Sequence, residues 1–469
     1  MIRNTRAAID DGQFRRDLDE DGRLTEQSIN DALSELNFRR GIAQRLGEYY
    51  TGDNPTILGR IIPEKTRDAP DNRIAVSYAR KLVNTVVGYM FKPGLVQYGS
   101  ENDDYKALLT DVFWDNSEHS KTARIGKLMS IFGVAYEIHY TEQRDGAPVP
   151  RFAPIPTEDF IPVYSHDVEP KLVAGVHRYV EDRASDRTGV EHVDIYYADV
   201  IQEFLTTGGT SAAQSLIPNG EDYETEHGYG MVPVAVYRNN DEIAGDYEHV
   251  CKLIDAYDIL LSDSMNEFDR FAWAYLLLRN ISMSKDEVED AKRKRVIEIM
   301  GENGGVEFLT KEVQTEFIEF MRKWIREEIH KQTHIPDMAD EQFAGQQSGI
   351  AIRYKLNDLE NIASVKEIGF REGLRRRLDL LNAFWRTQGR ALGDTRDVDI
   401  LMQRNVPENF LEQAKIVGQL RGHVSHKSLL DHVVGFVDDA QAEMDALQAE
   451  QDVLFGGDDI DEEGDGADA

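Results

Sequence analysis

The apolar positions switch from a helical period to an alternating one and back, and these switches divide the chain. Ile29, Leu33, Leu36 and Leu46 fall near helical spacing, and Thr51-Gly52-Asp53-Asn54-Pro55 is a strong stop, so a helix is expected over residues 25–50. A second helix is expected over 72–89, closed by Gly88 and Pro93. Between 132 and 237 the runs 134–140, 172–180, 193–197 and 232–237 are rich in β-branched and aromatic residues and read as strands separated by polar turns. The first 240 residues are therefore expected to form one α+β domain.

The period then returns to helical. Val250, Ile254, Tyr257, Leu261, Met265, Phe268, Ala272 and Tyr275 follow one another at gaps of three or four, with no Pro or Gly from Asp246 to Asn280. This predicts one continuous apolar stripe on a rod of roughly 50 Å, with Asp246 as its N-cap. A charged stretch from Ser284 to Arg295 precedes a candidate hairpin, 296–300 paired with 306–310 across Gly301-Glu302-Asn303-Gly304-Gly305. A further helix is expected over 314–333, carrying Phe317, Met321, Trp324, Ile325 and Ile329 and stopping before Pro336. After a polar loop at 335–348, Ser348 is expected to cap a third long helix reaching about Arg390, followed by a short strand at 398–402 and more helix from about Pro407. Two apolar-striped rods around one small hairpin are more than a monomer can bury, and lateral packing in an oligomer would cover them.

Composition narrows the function. Acids outnumber bases 86 to 53, for a formal net charge of −33, which argues against a protein built to grip nucleic acid. There is no run of about 18 apolar residues, so no membrane span is expected. The opening Met1-Ile2-Arg3-Asn4-Thr5-Arg6 leads into charged residues, so no secretory signal is expected. The one cysteine, Cys251, excludes a disulfide framework within the chain and a cysteine-based zinc site. No Lys or Arg follows Leu429, and the acidic tail at 451–469 is expected to be disordered.

Catalytic patterns are missing. No P-loop and no His-Glu-x-x-His occur, and Gly228-Tyr229-Gly230 lacks the third glycine of a dinucleotide loop. The chain is read as not an enzyme and as needing no cofactor. Asp17-x-Asp19-x-Asp21-Gly22 reproduces the first half of a calcium loop, but Ser28 replaces the bidentate Glu at its twelfth position. Asp17, Asp19 and Asp21 are therefore a weak metal candidate, read first as a solvated acidic turn. Lys292-Arg293-Lys294-Arg295 is a basic island in an acidic chain, either a solvated face or a docking patch.

Several segments, in order, carry a family resemblance. They are Tyr49-Tyr50-Thr51-Gly52; the run Asn72-Arg73-Ile74-Ala75-Val76-Ser77-Tyr78-Ala79-Arg80-Lys81-Leu82-Val83 with Val87-Gly88-Tyr89; Gly133-Val134-Ala135-Tyr136-Glu137; Leu253-Ile254-Asp255-Ala256-Tyr257-Asp258; Ser348-Gly349-Ile350-Ala351-Ile352-Arg353-Tyr354-Lys355-Leu356; and Arg404-Asn405-Val406-Pro407. Together they resemble the portal proteins of tailed bacteriophages, the head–tail connectors, most closely the siphophage type. The resemblance implies an α+β portal fold. An N-terminal arm and α/β wing would occupy 1–245, the first stem helix 246–283, a small β-containing clip 284–312 and the second stem helix 313–334. A tunnel loop would follow at 335–348, then a long wing helix and return strand at 349–410 and a helical crown at 411–450.

It further implies a ring, usually of twelve copies, at one capsid vertex, through whose channel double-stranded DNA passes without sequence-specific contact during packaging and ejection. Implied partners are the terminase large subunit, a head–tail adaptor, and the major capsid and scaffold proteins; the implied location is the virion, with assembly in the host cytoplasm. Lys292, Arg293, Lys294 and Arg295 would lie on the docking clip. Asp337, Asp340, Glu341, Gln342, Gln346 and Gln347 would line the tunnel. The rival readings are an acidic α+β enzyme with a helical lid and another capsid structural or scaffold protein.

Overall fold

The structure is a computed structural model and describes residues 13–61, 70–181, 190–206, 216–271, 275–279, 284–286, 289, 305–309, 315–338, 354–390, 393–406, 415, 417–432 and 440–455. The chain divides into two compact units, one of Met1–Pro336 with Asp358–Asn405, the other of Asp337–Asn357 with Val406–Ala469.

In the first unit, strand β1 (Phe14–Arg15) precedes helix α1 (Glu26–Thr51), whose ends follow from local chemistry. The Thr25 side chain accepts from the Ser28 N–H, and Gly52 closes the helix in the left-handed region at φ 93°. Helices α2 (Pro55–Leu58) and α3 (Tyr78–Met90), strand β2 (Val96–Ser100), and helices α4 (Asp103–Asp115) and α5 (Glu118–Phe132) follow. Strands β3 (Val134–Arg144), β4 (Ala147–Ile155), β5 (Phe160–Tyr164), β6 (Leu172–Glu181), β7 (Val190–Tyr196), β8 (Val200–Thr206), β9 (Leu216–Pro218), β10 (Glu224–Glu226) and β11 (Val234–Arg238) come next. Seven of these strands form a sheet in the order β1-β5-β6-β7-β8-β10, with β9 also on β8, and β11-β3-β4 form a second. The α1 residues Ile29, Ala32, Leu33 and Leu36 are buried with Ile161, Val163, Val176, Val193 and Ile195 of the large sheet. The amphipathic spacing read in the sequence thus covers one sheet face.

The remaining elements are helix α6 (Cys251–Phe271), strands β12 (Tyr275–Arg279) and β13 (Gly305–Leu309), helices α7 (Thr315–Thr333) and α8 (Asn357–Thr387), and strand β14 (Val398–Met402). Strand β14 pairs antiparallel with β2, and β12 with β13. Helix α8 is the spine of the unit. Three of its arginines act as struts to neighbouring backbone carbonyls. Arg371 donates to Ile400 O at 2.6 Å, Arg375 to Thr395 O at 2.6 Å, and Arg376 to Val232 O at 2.8 Å. Helix and β11 lie very close: a Cβ at Gly373 would meet the Tyr237 ring at 2.2 Å, and one at Gly369 would meet Arg238 O at 2.4 Å.

Two charged clusters are sealed under α8. Arg377 forks onto Glu137 at 2.9 and 2.8 Å and reaches Glu118 at 2.8 Å, all three fully buried. Burial alone would raise Glu137, but the guanidinium and the neighbouring His139 hold it down at about 2. Lys366 donates to Asp246 at 2.5 Å and to Ser130 at 3.1 Å, also buried.

In the second unit, α9 (His426–His432) packs against α10 (Ala440–Phe455), with Leu429 and Ala440 buried.

Several expectations change. Residues 70–77 belong to no helix or strand, so the helix expected over 72–89 begins only at Tyr78. The helix expected over 246–283 is Cys251–Phe271, led in by a 3-10 turn at Glu248–Val250. Asp246 is not its cap, because its carboxylate is taken by Lys366. Tyr275–Arg279, read as the end of that rod, is the strand that pairs with Gly305–Leu309. A continuous Tyr-Leu-Leu-Leu run fits strand or helix equally by period, and pairing decides. The strand expected at 296–300 lies outside the described residues. Helix α10 extends to Phe455, so the first five residues of the expected disordered tail are helical, and 456–469 lie outside the described residues.

Candidate functional site

Helices α6 and α7, expected as stem helices, pack on one another. The apolar stripe of α6 behaves as read only at its beginning. Val250 and Ile254 are buried, whereas Met265 and Phe268 are exposed. On α7, Ile325 and Ile329 are buried, but Phe317, Phe320 and Trp324 are 58%, 61% and 45% exposed. Exposed large apolar residues at i, i+3 and i+7 on one helix form a stripe that no other described residue covers.

What α6 buries instead is polar. Asp258, Ser262 and Asn266, one turn apart, are covered by residues 72–76. At the start of the helix, Asp255 accepts from Tyr49 at 2.8 Å and from Asn54 at 3.0 Å, and Asn54 also donates to Asp258 at 2.8 Å. Burial pushes the Asp258 carboxyl up to about 6, against the pull of Asn54 and the Val76 N–H.

The root of the expected tunnel loop is anchored. Helix α7 ends at Thr333, and His334 turns the chain with φ 55° in the left-handed region. His330 Nδ1 lies 2.7 Å from Ile335 O, and its Nε2 lies 2.8 Å from the Tyr78 hydroxyl. A neutral ring that donates from Nδ1 and accepts at Nε2 satisfies both partners. Tyr78 in turn sits edge-on to Tyr257 of α6, 5.5 Å between centroids, so one side chain ties the loop root to α3 and α6. Asp337 is half-buried; Asp340, Glu341, Gln342, Gln346, Gln347 and Ser348 lie outside the described residues, as do Lys292, Arg293, Lys294 and Arg295.

The calcium-like acids have other tasks. Asp17 accepts from the His166 N–H at 3.1 Å and pairs with its Nδ1 at 3.1 Å, bonds that hold its carboxyl below the usual range. Asp19 Oδ1 accepts from the N–H groups of Asp21 and Arg23, closing the turn before α1. Among the described residues no three His, Cys, Asp or Glu side chains converge as metal ligands. Sequence reasoning missed the clusters at Arg377 and Lys366, because the partners of each are more than 100 residues apart in sequence.

A long helix α8, an α/β unit with two sheets, and helices α6 and α7 flanking the small β12–β13 pair are the arrangement expected of a phage portal protein. The family described as phage portal protein, SPP1 Gp6-like, matches residues 34–453, and the chain belongs to it. The portal protein of Clostridium phage phiCD119 is 24% identical over 436 residues, 88% of this chain and 94% of that protein. The portal protein of Bacillus phage SPP1 is 30% identical over 152 residues, 32% of this chain and 30% of that one. Among solved structures, a chain from the neck of a native GTA particle, computed with C12 symmetry, aligns with a TM-score of 0.44 at 10% identity, covering 76% of this chain and 89% of that chain. The family is structural rather than enzymatic. No helix among the described residues is long and apolar enough to cross a membrane.

Proposed function

We propose that the chain forms a twelve-membered ring at one capsid vertex and that its central channel conducts double-stranded DNA during packaging and ejection. The single observation that carries this is the family match over residues 34–453. The uncovered Phe317, Phe320 and Trp324 support it, since neighbouring copies in a ring would bury them. The segment 284–312 serves as the clip, where Lys292, Arg293, Lys294 and Arg295 present a basic patch to the terminase large subunit and then to a head–tail adaptor. Strand β12 at 275–279 extends that clip. The major capsid and scaffold proteins surround the wing.

The tunnel segment 335–348 holds Asp337, Asp340 and Glu341 and no Lys or Arg. Twelve copies place on the order of 36 negative charges around the bore, so the duplex is repelled from the wall and slides. Gln342, Gln346 and Gln347 offer brief, uncharged hydrogen bonds. Replacing Asp337, Asp340 and Glu341 with Lys is expected to spare assembly and to slow or stall packaging in vitro. The defect should ease as salt rises, because phosphate adhesion works through counterion release. Packaging at the wild-type rate in low salt would contradict the low-adhesion wall.

A further inference from the structure

Residues 71–76 pair with no described strand. Their alternate backbone N–H groups point at α6. Asn72 N donates to Asn266 Oδ1 at 2.6 Å, Ile74 N to Ser262 Oγ at 2.9 Å, and Val76 N to Asp258 Oδ1 at 3.1 Å. The strap advances by two residues while the helix retreats by four. Two extended residues span about 6.6 Å and four helical residues rise about 6.0 Å. The two periods stay in step for three bonds and would drift apart over a longer run. The zipper is therefore a short, matched device in which each helical turn offers one acceptor to every second strap residue. Asn72 Nδ2 adds a bond to Asp269 at 2.5 Å.

Its energetic character is unusual. None of residues 70–77 is fully buried: Ile74 and Ala75 are partly buried and Val76 is exposed. Beneath it Asp258, Ser262 and Asn266 are buried, yet all three are polar. Lifting the strap would wet donors on one side and acceptors on the other, and water satisfies both. The opening exposes less apolar surface than opening any part of the sheet that covers α1.

We propose that residues 71–76 are a latch on α6, which opens and closes as one unit while the rest of the fold stays intact. Closed, it clamps the polar side of α6, holding the helix in one rotational setting with Met265 and Phe268 outward. Open, it leaves that helix held by the cluster of Tyr49, Asn54 and Asp255 at its start, by the Arg60–Asp263 ion pair, by the Tyr78–Tyr257 ring contact and by its packing on α7. The latch is a property of the single chain and does not depend on the ring.

Residue-resolved hydrogen exchange of the full-length chain tests this at denaturant concentrations below unfolding. The amides of Asn72, Ile74 and Val76 are expected to exchange at one common rate, well ahead of the amides of β6 and β7. Ser262→Ala removes the middle acceptor, and is expected to raise exchange at all three amides together by about five- to tenfold, leaving β6 and β7 unchanged. Asn266→Ala serves the same purpose should the first variant fold poorly. A response confined to Ile74 would show three independent bonds and overturn the latch. Exchange of the three amides in step with the slowest core amides would overturn it too. Normal latch exchange in a chain that never forms rings would count against the ring alone.

Discussion

Arg377→Met is expected to lower the stability of the folded chain by about 3–5 kcal/mol, because it leaves the buried carboxylates of Glu118 and Glu137 without their cation. Methionine fills much of the same volume, so the loss reports charge rather than a cavity. The pH dependence gives the sign. In the native chain Glu137 sits at about 2, below its ordinary value of 4.5. Its contribution is fully present above pH 4.5 and is lost as the pH falls toward 2. Without Arg377, burial becomes the dominant influence and raises Glu137 instead. The variant is then penalised at neutral pH and relieved as the carboxyl takes up a proton. The gap between wild type and variant, measured by denaturant titration, should be widest at pH 8 and narrower at pH 5. A gap that stays constant across that range would contradict the account. Arg377→Lys should recover only part of the loss, since one ammonium cannot fork onto Glu137 while also reaching Glu118.

Phe317→Ser, Phe320→Ser and Trp324→Ser, combined, are expected to abolish rings. All three side chains are exposed in the single chain, so the fold should survive with its helical content unchanged. In the assembly they would act as aromatic anchors worth about 2 kcal/mol each, so each subunit contact weakens on the order of a thousandfold or more. Size-exclusion chromatography with light scattering should show the triple variant as a 53.3 kDa species at concentrations where wild type is fully assembled. Rings as abundant as wild type would remove these residues from the interface.

The sequence made the strongly periodic elements legible. Helix α1 and strands β3, β6, β7, β11 and β14 fall where the helical period and the β-branched and aromatic runs placed them. Helices α4 and α5 were not foreseen. In α5, Glu118 and Thr122 sit on the buried side, so polar residues interrupt the apolar pattern for the sake of Arg377. Residues 72–77 carry helix-compatible side chains, but their backbone donors are claimed by Asp258, Ser262 and Asn266, a tertiary fact no local window contains. The stripe on α6 was read correctly and given the wrong job beyond Tyr257, since the chain buries the polar side there. Of the candidate site, the docking and tunnel segments came from family resemblance, whereas the His330 anchor at the loop root appears only once α3 and α7 are brought together.

Electron cryomicroscopy of the purified full-length chain, with native mass measured on the same sample, tests the central claim most directly. Twelve copies of the 53.3 kDa chain predict closed rings of about 640 kDa with an open central channel, favoured by salt that screens subunits carrying −33 each. A well-folded 53.3 kDa monomer that persists at high concentration and across salt would contradict it.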